Sequence, residues 1–123
     1  MAVLPVGVDT SVNLSTAQTG NGDSTNTAHR GRRPGSGGAV VITSAIGATP
    51  TVTVNIQGSV DGVAFFNIPY ALVATSETLT IAAIVITTAV TTTYLLRPNH
   101  AWAYLKLVYS ANTNVTLTAD AFL

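Results

Sequence analysis

From Ala39 onward, apolar and polar positions alternate in a way that predicts one strand after another. Residues 39–44 (AVVITS) form a short β-branched run. In residues 51–57, Val52, Val54 and Ile56 fall on one side and Thr51, Thr53, Asn55 and Gln57 on the other. That is the period-two pattern of a half-buried strand. The sequence GSVDG at 58–62 then predicts a reversal, because Asp accepts local backbone hydrogen bonds and Gly tolerates positive φ. Residues 63–70 are expected to return as its partner, with Pro69 marking an edge or an end. Residues 78–87 and 91–97 are the next two expected strands. Arg97-Pro98-Asn99-His100 reads as a loop, since proline lacks a donor and disfavours helix before it. Residues 102–109 and 115–122, joined by an Asn-rich turn at 110–114, end the series. About seven short strands with turn signals between them, and no amphipathic helix, predict an all-β antiparallel β-sandwich, jelly-roll-like, or a small barrel.

Residues 1–38 are patterned differently. TGNGDST at 19–25 and RGRRPGSGG at 30–38 are clusters of turn and loop formers. Weak strand signals occur only at 2–8 and 11–16. The expected organisation is an extended N-terminal arm, 1–38, followed by a β-sandwich body, 39–123. Three of the five cations, Arg30, Arg32 and Arg33, sit together in that arm.

Composition narrows the function. The chain has 123 residues, five cations against five anions, and no cysteine. That removes disulfides, thiolate metal sites and cysteine nucleophiles. Only 8% of residues are charged, which gives little protection against self-association. A neutral chain is a poor general nucleic-acid binder, because phosphate contacts need Lys and Arg. The start of the chain has no basic n-region or long apolar h-region, unlike a secretory signal. Residues 79–96 have the length of a membrane span but are rich in threonine and β-branched residues, which favours strands and no membrane role. No G-x-S-x-G elbow is present, and no His, Asp and Glu spacing matches a metal or catalytic pattern. No enzyme activity, metal or cofactor is expected.

Two expected strands are apolar on both faces. Trp102, Tyr104 and Val108 alternate with Leu105, Leu107 and Tyr109, and Leu79, Ile81 and Val85 alternate with Ala82, Ile84 and Ile86. A two-layer sandwich normally wets one face of each sheet. The second apolar face therefore points to a covering subunit, and Trp102, Tyr104 and Tyr109 are the expected self-association residues. Arg30, Arg32 and Arg33 are the expected contacts to an acidic protein surface, since Arg forks pair well with carboxylates. Aromatic side chains on a sandwich face also suit a glycan-binding or receptor-binding module, the alternative reading.

The residues 52–66, VTVNIQGSVDGVAFF, resemble the strand, G-S-x-D-G and aromatic hairpin of small tailed-phage virion proteins. The stretch from Arg97, RPNHAWAYLKLVYSANTNVTLTADAFL, resembles their closing hairpin: an aromatic, a Y-L-K-L strand and a Thr-rich last strand. Over residues 40–123 the chain is similar to head decoration, or cement, proteins of double-stranded DNA phages. The resemblance implies a jelly-roll-like sandwich that forms a homodimer or homotrimer. It also implies a place on the outer surface of the virion, bridging major capsid protein subunits, with no catalytic residue and no cofactor. It carries no residue-level binding site over to this chain.

Overall fold

The computed structural model describes residues 11–29, 37–97 and 102–123. Among these residues there are nine strands: β1 (Ser11–Gln18), β2 (Gly22–Asp23), β3 (Ala28–His29), β4 (Gly38–Ser59), β5 (Phe66–Asn67), β6 (Tyr70–Leu72), β7 (Ile84–Ile86), β8 (Thr91–Leu96) and β9 (Tyr104–Phe122). A single 3-10 turn, Val73–Thr75, follows β6. Every strand pairing is antiparallel. The protein is an all-β antiparallel sandwich.

Its frame is one long ribbon. β4 and β9 pair from Ala39↔Phe122 to Ser59↔Tyr104, with register shifts between Ile46, Thr51 and Thr53. At those shifts the ribbon turns a corner and passes from one layer to the other. Strands that switch layers do so through bulges, because an extra residue bends the strand and increases its twist. Thr49, Ala111 and Asn114 adopt positive φ at this corner. Before the corner Val40, Ile42 and Ser44 are buried; after it Val52, Val54 and Ile56 are. On β9 the buried set is Leu105, Leu107 and Tyr109, then Val115, Leu117, Ala119 and Ala121. Parity is conserved across the bend, so one apolar face of the ribbon folds over on itself and encloses a single core.

The first layer continues in the order β1, β9, β4, β8, β6. In the second, β2 and β3 pair with β9, while β5 and β7 pair with β4. The two 22- and 19-residue strands replace the four shorter ones expected at 39–44, 51–57, 102–109 and 115–122. The turn expected at 110–114 is a bend within β9. The strand expected at 78–87 shrinks to Ile84–Ile86, preceded by one bridge between Thr80 and Tyr70. Residues 63–70 contribute only Phe66–Asn67 and the start of β6.

The boundary expected at residue 38 is also corrected. β1, β2 and β3 all pair with β9, and Leu14 is fully buried in the core. Residues 11–29 thus belong to the sandwich. Polar spacing hid this: Leu14 is the main apolar anchor of β1, and Ser15 is buried beside it as the acceptor of a 3.0 Å bond from the Tyr109 hydroxyl.

Candidate interaction surface

The residues expected to mediate self-association separate on folding. Trp102 is 2% exposed and Tyr109 is 1% exposed. Both are core residues, and side chains so buried give almost no surface to a second copy. Trp102 packs where the chain opposite has no side chain: a Cβ on Gly58 would lie 2.9 Å from the Trp102 Cβ. Tyr109 ties the layers together through Ser15.

Tyr104 lies on the outer face of β9, and its ring is covered on two sides by the same chain. His29 stacks on it at 4.2 Å between centroids with 3° between planes. The Gly62 backbone approaches the ring so closely that a Cβ there would be 3.2 Å from Cζ, at a backbone φ of 80°. Two residues along, Lys106 Nζ donates to Asp23 Oδ2 at 3.1 Å and lies 4.2 Å from the centre of the Phe65 ring. The second apolar face of this strand is therefore dressed by β2, β3 and the turn after β4. Sequence spacing does not show this, because His29, Asp23 and Phe65 are distant along the chain.

That turn is built by its own residues. Asp61 Oδ1 accepts from the Val63 and Ala64 amides at 2.9 and 3.0 Å and from Ser59 Oγ at 3.0 Å. The Gly62 amide donates to Ser59 Oγ at 2.9 Å. The bonds from Val63, then Ala64 and Ser59, hold the Asp61 carboxyl below its ordinary range.

Charged chemistry is sparse. Among the described residues there are two ion pairs, Lys106–Asp23 and Arg97–Glu77, the second loose at 3.7 Å. No group of three His, Asp or Glu side chains able to hold a metal occurs among them. An open depression of about 670 Å³ lies over the corner, between Ile46, Gly47, Asn112 and Asn114. Its amides are engaged locally: Asn112 bonds the Val115 backbone in both directions, and Asn114 Nδ2 donates to the Ala48 carbonyl. Arg30, Arg32 and Arg33 lie outside the described residues, as does His100.

The aromatic set needed for a glycan platform is also mostly committed. Tyr70 and Tyr94 are buried against each other edge to face, 5.3 Å apart. Phe66 is the aromatic of the second layer that remains substantially exposed.

The open surface is elsewhere. Of eleven exposed large apolar side chains among the described residues, nine fall between Val60 and Val90. This segment connects β4 to β8 and lines one edge of the sandwich through β5, β6 and β7. It holds Asp61 and Glu77 but no Lys, Arg or His. The opposite edge is guarded. There the Asn26 amide donates to the Leu14 carbonyl, Asn26 Nδ2 to the Asn13 carbonyl, and Asn13 Nδ2 to Asp120 Oδ1, each at 2.9 Å. Polar caps of this kind blunt an edge strand, and an apolar edge without them invites a partner.

The architecture and its surface define a class, an antiparallel sandwich with one capped edge and one apolar edge. Among solved structures it is similar to the crystal structure of the SPBc2 prophage-derived protein YomS. The match covers 99% of this chain and 98% of that one, with a TM-score of 0.66 and 7% sequence identity. The two chains share a fold over their whole length. No protein-family model matches this sequence, and no curated protein does.

Proposed function

We propose that this protein is a structural component of a phage particle. In this reading it sits on the outside of the capsid and bridges neighbouring major capsid protein subunits. The observation that carries the proposal is the end-to-end likeness of its fold to a prophage-derived protein. The charge-poor composition is consistent with it, since a protein held in many copies on a symmetric shell needs little solubility of its own. Repeated modest contacts on such a shell add up through multivalency. The role requires no catalytic group and no cofactor.

Docking is assigned to the basic sequence Arg30-Gly31-Arg32-Arg33, between β3 and β4, against acidic capsid surface. The test is co-sedimentation of the purified protein with phage heads that lack it. Stoichiometric binding is expected, and replacing the three arginines by glutamine should weaken it several-fold and flatten its salt dependence. Heads that leave the protein in the supernatant would sink the proposal. Glycan-array binding lost on Phe66→Ala would replace it by the receptor-binding reading; Trp102→Ala is unsuitable for that purpose, because Trp102 is in the core.

A further inference from the structure

We infer that the apolar edge between Val60 and Val90 is a self-association surface, and that its occupant is the same edge of a second copy related by a two-fold axis. This is independent of the capsid reading. It reassigns self-association from the buried Trp102 and Tyr109 to side chains that are open, among them Val63, Phe66, Val73, Ile81 and Val85.

Three observations favour a second copy. The first is extent. The nine apolar side chains are 42–83% exposed. Nine large apolar side chains open to this degree are of the kind and number that one partner brings to a standard stable interface of about 800 Å² per side. Val85 pairs with Thr53 and Phe66 with Gly58, five positions further along β4. They are spaced by roughly 16 Å at the usual rise of a strand and project from opposite faces of the sheet, so the apolar side chains flank the edge on both sides along its length.

The second observation is charge. A two-fold interface sets a patch against itself, so unbalanced charge on it is repelled. Asp61 is tied to its own turn, and Glu77 is paired with Arg97 only loosely, with a side chain 94% exposed. The Arg97–Glu77 pair can exchange partners across a two-fold axis without loss of charge balance. The net charge of the whole chain is zero, so copies approach without long-range repulsion.

The third observation is the contrast between the two edges. Polar side chains cap the backbone of β1, whereas the segment that makes the edge at β5, β6 and β7 carries no cation of its own, and Arg97 of β8's end reaches it at Ser76 and Glu77. Lysine is the usual device against pairing at an edge, and it is missing where the apolar residues gather.

Sedimentation velocity across about 1 to 100 μM tests this, a range that brackets a micromolar dimer. The unaltered protein should pass from monomer to dimer. Ile81→Asp and Val85→Asp should each weaken association by roughly tenfold or more, as for residues central to an interface. Ile46→Asp, at an exposed apolar site on the corner, should leave it unchanged. Because the chain has no cysteine, Val85→Cys supplies a single thiol that does not depend on a disruptive charge. It should form a disulfide-linked dimer under mild oxidation faster than Ile46→Cys. A protein that stays monomeric throughout overturns the inference. So does equal loss from Ile46→Asp, or equal cross-linking from the two cysteine variants. If the monomer persists but Ile81→Asp abolishes binding to heads, the edge faces the shell and the second copy is the wrong occupant.

Discussion

Tyr109 shows how one hydroxyl holds two layers. Its ring fills the core and its oxygen donates to Ser15, itself fully buried on β1. Tyr109→Phe removes the donor and leaves Ser15 Oγ accepting a long 3.4 Å contact from the Thr25 amide. A loss of about 1 kcal/mol is expected in urea unfolding, the usual cost of such a pair. Burial pushes the Tyr109 hydroxyl above its ordinary value of 10.0, with the Ser15 bond opposing in part, and burial raises Tyr94 and Tyr70 as well. Above pH 10 the unfolded chain therefore releases tyrosine protons that the folded chain keeps. Stability is full below that pH and falls as pH rises through the folded values. Urea midpoints measured from pH 8 to 11 should show this decline, and Tyr109→Phe should make it shallower. Gly58 makes a complementary point. Its missing side chain is space used by Trp102 and Ile68, at 2.9 and 3.0 Å from where a Cβ would stand. Gly58→Ala should cost about 1–3 kcal/mol by overpacking, a loss visible as a lower thermal midpoint.

At the scale of elements, the corner of the β4–β9 ribbon decides the architecture. Ala111 holds a φ of 51° there with no side chain to profit from it, whereas Asn114 at 53° donates to the Ala48 carbonyl. The left-handed region costs a non-glycine residue about 1–2 kcal/mol, while glycine adds about 0.4–1 kcal/mol of unfolded-state entropy. Ala111→Gly should thus stabilise the protein by up to about 1 kcal/mol, measured as a shift in denaturation midpoint without change of slope. Asn114→Gly should not, because it discards a hydrogen bond. This corner also explains what was legible in the sequence. Alternation at 51–57 marks that strand and its inward face, and 115–122 reads as a strand without its faces being assigned. The Asn-rich stretch 110–114 reads as a reversal, yet here Asn112 and Asn114 lie in a bend inside one continuous strand. A bend and a reversal draw on the same residues, and only the distant partner strand distinguishes them. β1 carries only a weak strand signal, at 11–16, and its place in the sandwich was hidden for the same reason: its buried Ser15 is a satisfied polar group whose partner, Tyr109, lies 94 residues away. Trp102 and Tyr109 were readable as important but not as internal, because period-two spacing cannot say whether a second apolar face is covered by the same chain or by another.

At the scale of the whole molecule, the two proposed contacts differ in their dependence on salt. The edge between Val60 and Val90 is apolar, and its one cation–anion pair is exposed and loose. Such a pair contributes little, so association through this edge rests on burial of apolar area. Added NaCl screens charge over about 8 Å at physiological strength and less above it, which leaves apolar burial intact. Sulfate strengthens it through exclusion from the surface. In the proposed role the basic sequence at Arg30, Arg32 and Arg33 is the converse: docking through it would be electrostatic and would screen away. Raising NaCl from about 0.05 to 0.5 M should therefore leave the dimer constant within roughly twofold, while binding to heads weakens several-fold. Sedimentation velocity and head co-sedimentation in the same buffers separate the two. A dimer that dissolves in salt along with head binding would mean that charge, not the apolar edge, joins the copies.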